Sequence, residues 1–209
     1  MSLLPALPAL PASPRVSAVL LGLLLAGCAP ALASSASHVE PVVTTTTLTD
    51  PDDTDGPLDV AAVSHTARER TGSALVRYRV RLREPVDAGV LHRRHRHLVA
   101  ELDVDGRSGS ERNLTVYARD GVLRADLISN ATREVIRSLP VQLIDAHILQ
   151  VRAARELIGA RRIFWYSNFH WTGHPDCGWD DGHPVTCSDS VPDDGWLHLP
   201  RAAWPDGSG

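Results

Sequence analysis

The chain has 209 residues, in which 21 arginines and no lysine face 25 acidic side chains for a net charge of −4. That balance excludes nucleic acid as a natural partner, because no basic excess exists to neutralise phosphates. The length suits one full domain flanked by segments of other character, and one domain is what the pattern predicts.

The first segment, residues 1–27, reads as a secretory signal. Arg15 precedes an apolar run, residues 16–27, of twelve residues, the charge-then-hydrophobic order of an export leader. A bilayer needs about 20 apolar residues, so this run is too short to span it. Pro5, Pro8, Pro11 and Pro14 upstream prevent its extension as a helix. The run closes on Leu25-Ala26-Gly27-Cys28, which resembles the lipobox of bacterial lipoproteins. That resemblance implies cleavage before Cys28, acylation of its thiol, and a chain anchored in the lipid bilayer on the outer face of the cell membrane. Two or more acyl chains, at about 0.8 kcal/mol per buried methylene, make such an anchor durable. An ordinary secretory cut after Ala31-Leu32-Ala33 is the competing reading.

Residues 28–57 are rich in Ala, Ser, Thr, Pro and Asp, with Thr44–Thr47 and an acidic run from Asp50. Their composition predicts a disordered tether. From residue 58 to 200 strand signals dominate. In Val76–Arg83, Val76, Tyr78, Val80 and Leu82 alternate with Arg77, Arg79, Arg81 and Arg83, the pattern of a half-buried antiparallel strand. Further strands are expected around Leu98–Val104, Leu114–Ala118, Leu123–Leu127, Glu134–Leu139, His147–Arg152 and Ile163–Trp171, with a short helix at Ala153–Gly159. Asp120-Gly121 suits a tight hairpin turn. The expected fold is therefore all-β: an antiparallel, jelly-roll-like two-sheet β-sandwich with one short helix. Residues 201–209 read as a flexible tail.

Leu58–His65, Leu102-Asp-Val-Asp-Gly106 and Cys187-Ser-Asp-Ser-Val-Pro-Asp-Asp-Gly195 together resemble the β-sandwich domain of secreted actinobacterial proteins of uncharacterised activity, itself similar in outline to carbohydrate-binding and DOMON-type modules. The resemblance implies a fold and no particular reaction.

Of the three cysteines, acylation removes Cys28 and leaves Cys177 and Cys187 as a disulfide pair around a short loop, which an oxidising compartment permits. Asp103, Asp105 and Glu111 suit calcium, a hard cation that takes oxygen ligands. The same residues also suit an Asp/Gly hairpin loop, the favoured reading because Arg107 sits among them. His92, His95 and His97 carry metal-binding nitrogens but are interleaved with arginines, and His170, His174 and Asp176 form a second loose set.

All five tryptophans fall in the C-terminal third. Trp171, Trp179 and Trp196 with His170 and Asp180 suggest a platform for a cell-envelope glycan, rings stacking on sugar faces. The competing reading makes them packing residues. No nucleophile elbow, His-Glu-x-x-His helix or phosphate loop occurs. A non-enzymatic binding module for glycan or another exported protein is the leading expectation. A metal-dependent or glycan-acting enzyme built on the C-terminal loops is the alternative.

Overall fold

The computed structural model describes residues 41–54, 56–70, 73–92, 96–170, 179–180, 183–184 and 186–205. In it the alternating run at Val76 forms β3 (Ser73–Leu82). Its Val76, Tyr78, Val80 and Leu82 are each at most 2% exposed, as the period of two requires. Around it lie β1 (Val42–Thr49), β2 (Val60–Arg70), β4 (Arg96–Asp103), β5 (Arg112–Arg119), β6 (Val122–Ser129), β7 (Val135–Asp145) and β8 (Ile148–Ala154). The single-turn helix α1 (Arg155–Ile158) then leads to β9 (Arg162–His170), β10 (Trp179–Asp180), β11 (His183–Pro184), β12 (Thr186–Val191) and β13 (Leu197–His198). A 3₁₀ turn, Arg201–Ala203, follows.

The all-β expectation holds, with every paired strand named here antiparallel to its neighbour. The division into two sheets does not appear. One curled sheet runs β1-β2-β3-β8-β7-β6-β5-β4-β9-β12, with β13 on β9 and a separate β10-β11 pair. The continuity comes from β7, which changes partner halfway. Its residues up to Pro140 pair with β6, and from Val141 onward they pair with β8. Proline has no N–H to give a ladder, so the handover falls where the chain already lacks a donor. Leu139 is the one buried residue of β7. The strand thus acts as a corner that turns the sheet into a half-barrel.

The turn between β5 and β6 is the expected one, with Asp120 at φ 53° and Gly121 at φ 73°, both left-handed as a tight hairpin needs. Gly159 ends α1 in a crowded place. A Cβ there would stand 2.4 Å from the Arg155 carbonyl oxygen and 2.7 Å from that of Ala203, so only glycine fits.

Two boundaries differ from the sequence-based reading. Within the segment read as tether, Val42–Thr49 pairs with β2 along its whole length, from Val42↔Glu69 to Thr49↔Ala62. Its polarity concealed a run of β-branched residues, which suit a pleated edge strand. Leu48 packs against the core, and the Thr45 and Thr66 hydroxyls lie 3.1 Å apart. At the other end, part of the presumed tail is packed. Ala203 is 1% exposed, and the Trp204 indole N–H donates to the Leu199 carbonyl at 3.0 Å. A chain beginning at Leu58 is therefore expected to be several kcal/mol less stable than one beginning before Val42. Chemical denaturation of the two, compared by midpoint, checks this, and equal midpoints would mean that β1 adds nothing.

Candidate functional site

The outward face of β2, β3 and β8 carries Arg68, Arg77, Arg79, Arg81 and Arg152. Cross-strand register sets Arg77 directly opposite Arg152, Arg79 opposite Gln150, and Thr66 opposite Arg77. Like charges in opposed positions repel. No carboxylate pairs with any of the five among the described ion pairs. Neighbours hold two of the guanidinium groups in place. Arg77 Nη2 donates to Thr66 Oγ1 at 3.1 Å. Arg79 Nε donates to Gln150 Oε1 at 2.8 Å, and Gln150 Nε2 in turn donates to Gln142 Oε1 at 2.7 Å. Partial burial and the nearby Arg79 and Arg152 lower the pKa of Arg77. Arg68, Arg77, Arg152, Thr66, Val43 and Leu75 line one hollow on this face, and Arg79 and Arg81 border a second beside Thr47 and Ser64. The arrangement suits an anion.

A group of opposite sign lies where the sheet's ends approach. The Val60 N–H at the start of β2 donates to Asp189 Oδ2 of β12 at 2.6 Å, joining strands far apart in the sheet order. Asp50 follows β1, Asp52 and Asp53 lie in the loop beyond it, and Asp59 precedes β2. Asp50, Asp59 and Asp189 are 8%, 4% and 3% exposed. Burial, then Asp189, Asp193, Asp53 and Asp59, push the Asp50 carboxyl up to about 7. Burial raises Asp59 to about 6, opposed by the Arg83 guanidinium and reinforced by Asp189 and Asp52. Asp189 is also raised by burial, against the Val60 hydrogen bond. Arg83 contacts Asp59 at 3.0 Å and Asp52 at 3.5 Å, and donates to the Asp50 carbonyl at 2.7 Å.

Asp103, Asp105 and Glu111 do come together, each offering an oxygen within 4.8 Å of the others. Each of the three carboxylates already accepts a backbone hydrogen bond. Asp103 Oδ1 accepts from the Gly106 N–H at 2.6 Å, Glu111 Oε2 from the Val104 N–H at 2.6 Å, and Asp105 Oδ1 from the Arg107 N–H at 2.8 Å. Asp103 Oδ2 also takes Arg162 through both Nε and Nη2. The group supports a turn, with Gly106 at φ 80°.

The expected glycan platform is described only in part. Trp171, His174, Asp176 and Cys177 lie outside the described residues, as does His95. His170 pairs with Thr186, and Trp179 and Asp180 pair with Pro184 and His183. Trp196 is half-buried on the outer side of β9, 6.2 Å from Phe164, with the Arg162 guanidinium 5.4 Å over its ring. Trp204 is similarly covered by Arg161 at 4.7 Å. Both rings pack against their own chain. Trp165 is core, and its indole N–H donates to His65 Nε2 at 3.1 Å. Cys187 is buried in β12 at 6% exposure.

Sequence reasoning missed Asp50, Asp53, Asp59 and Asp189 as a group, and saw the β3 arginines only as a solvent side. Asp50 and Asp53 stood in a presumed tether, so the acidic run itself was the one available signal. Among the described residues, no helix is long and apolar enough to cross a membrane. No family model matches the chain, and the comparisons with curated proteins and with solved structures found no match.

Proposed function

We propose that this chain is an extracytoplasmic lipoprotein, acylated at Cys28, whose domain is a non-enzymatic module binding an anionic envelope glycan on the arginine face of β2, β3 and β8. The observation that carries the binding role is the direct opposition of Arg77 and Arg152 without a neutralising carboxylate among the described ion pairs. A uronate or phosphate group between them replaces repulsion with charge-assisted hydrogen bonds. The Thr66 and Gln150 contacts hold the Arg77 and Arg79 guanidinium groups in place before a ligand arrives, which reduces the ordering cost of binding.

Anchorage on the outer face of the membrane rests on the lipobox at Leu25–Cys28. The pairing of Cys177 with Cys187 in an oxidising compartment is part of the proposal and rests on the cysteine count. Kinship with secreted actinobacterial β domains belongs to the same proposal and rests on the runs at Leu102–Gly106 and Cys187–Gly195.

Hyaluronate, a uronate polymer, is expected to bind the purified protein, and neutral dextran is not. Added salt weakens the binding, and Arg77→Glu with Arg152→Glu reduces it about tenfold or more, as loss of roughly 1.4 kcal/mol implies. Equal binding of dextran, or hyaluronate binding untouched by the double substitution, rejects the assignment. Anionic vesicles form a control arm: binding to them but not to hyaluronate would place the face on lipid instead. Detergent phase partitioning of wild type and Cys28→Ser checks the anchor.

A further inference from the structure

The geometry points to a divalent-cation site for calcium at the seam between β1, β2 and β12, held by Asp50, Asp53 and Asp189. Each offers one carboxylate oxygen, and the three lie within 4.8 Å of one another. Two oxygens each about 2.4 Å from one calcium ion stand at most about 4.8 Å apart, so the three oxygens are close enough to share an ion.

Proximity of acids alone would not suffice, and a second observation points to a ligand. Asp50 Oδ2 is buried with no hydrogen-bond partner, and so is Asp59 Oδ1, in residues 8% and 4% exposed. Buried carboxylate oxygens normally find a donor, because stripping them of water is costly. At Asp103, Asp105 and Glu111, backbone N–H groups and Arg162 supply that compensation. At the seam, the Val60 N–H serves Asp189, the negative charges of Asp53, Asp59, Asp189 and Asp193 all bear on Asp50, and among the described ion pairs the cation there is Arg83. Its ion pairs go to Asp52 and Asp59, leaving Asp50, Asp53 and Asp189 outside its described pairs.

The ligand set is all oxygen, with no imidazole or thiolate, which favours a hard cation over zinc. Calcium suits it better than magnesium, since calcium accepts irregular oxygen shells of six to eight while magnesium demands a near-ideal octahedron. Exposed Asp53 leaves an entry from solvent, and water completes the shell. Bound there, the ion links the loop after β1 to β12. It turns mutual repulsion across the seam into a cross-link that holds the curled sheet closed. This inference is independent of the arginine face.

The test uses the full-length protein stripped with EGTA, then titrated with calcium chloride or magnesium chloride in parallel, read by calorimetry and thermal unfolding. Calcium is expected to bind one site with a dissociation constant on the order of 10⁻⁵–10⁻³ M. At about 100 times that constant it raises Tm by roughly 5–10 °C, and magnesium does much less. Asp53→Asn, at an exposed position that need not disturb folding, abolishes the calcium response. Asp50→Asn also abolishes it while stabilising the calcium-free protein, because a buried charge is gone. Asp105→Asn leaves the response intact. Absence of any calcium effect on the stripped protein overturns the inference. So does a response that survives Asp53→Asn, or one that disappears with Asp105→Asn, which would move the ion to the other acidic loop.

Discussion

Replacing Trp165 by alanine is expected to destabilise the domain by about 3–5 kcal/mol, the range for removing a large buried aromatic. Trp165 comes from β9 and is 2% exposed. Its ring meets Tyr78 of β3 edge-on at 6.2 Å, and its N–H reaches His65 of β2. One side chain thus bridges opposite walls of the half-barrel, and its loss removes both packing and a hydrogen bond between them. Trp165→Phe separates the two contributions. It keeps most of the ring but leaves His65 Nε2 without its donor, at a cost of roughly 1–3 kcal/mol. Urea denaturation reads both. A loss below about 1 kcal/mol for Trp165→Ala would mean that the two walls are held elsewhere.

The second large effect depends on pH. Burial alone pushes His65 down to about 3 from its ordinary 6.5, so in the fold the ring stays neutral. Above pH 6.5 the unfolded chain is neutral too, and the contribution is fully present. As pH falls from 6.5 toward 3, the unfolded state takes up a proton that the folded state refuses, and stability drops by roughly 1.4 kcal/mol per pH unit.

The comparison is with His65→Gln, which can still accept from the Trp165 N–H but does not titrate. The acidic seam acts with the opposite sign. Asp50 and Asp59 hold their protons to about 7 and about 6 in the fold and release them near 3.8 when unfolded, so acidification over that interval favours the folded state. Subtracting the variant removes this background. The wild-type stability minus that of His65→Gln, measured by urea denaturation in calcium-free buffer, is expected to decline steadily from pH 6.5 to 4. A flat difference would mean that the folded imidazole protonates as freely as the unfolded one.

Much of the strand pattern was legible because it is local. The run at Val76–Leu82 shows its buried and exposed faces in the order of its residues, and Asp120-Gly121 shows its turn. The short helix appears at Arg155–Ile158, inside the expected Ala153–Gly159. β1 was not legible. Its threonines lower the mean hydropathy without lowering the β preference, and what orders them is the free edge of β2. The arginines of β3 were legible as a polar face, but Arg152, which turns that face into a site, joins it only through the β3–β8 pairing. The three acids at Asp103–Glu111 were legible as a group. That their oxygens are engaged was not, since Arg162 reaches them from β9.

The sequence by itself determined that the chain is antiparallel β, where most strands lie, and, for the alternating strands such as Val76–Leu82, which side faces inward. Alternation with a period of two is written into neighbouring residues and needs no knowledge of the rest of the chain. Only the tertiary structure decided that the strands form one sheet rather than two, through the partner change at Pro140. It alone decided that the curl carries Asp189 to Val60, 129 positions away. Such encounters depend on how the corner strand turns and which edges remain open, and those are properties of the folded sheet rather than of any segment in it.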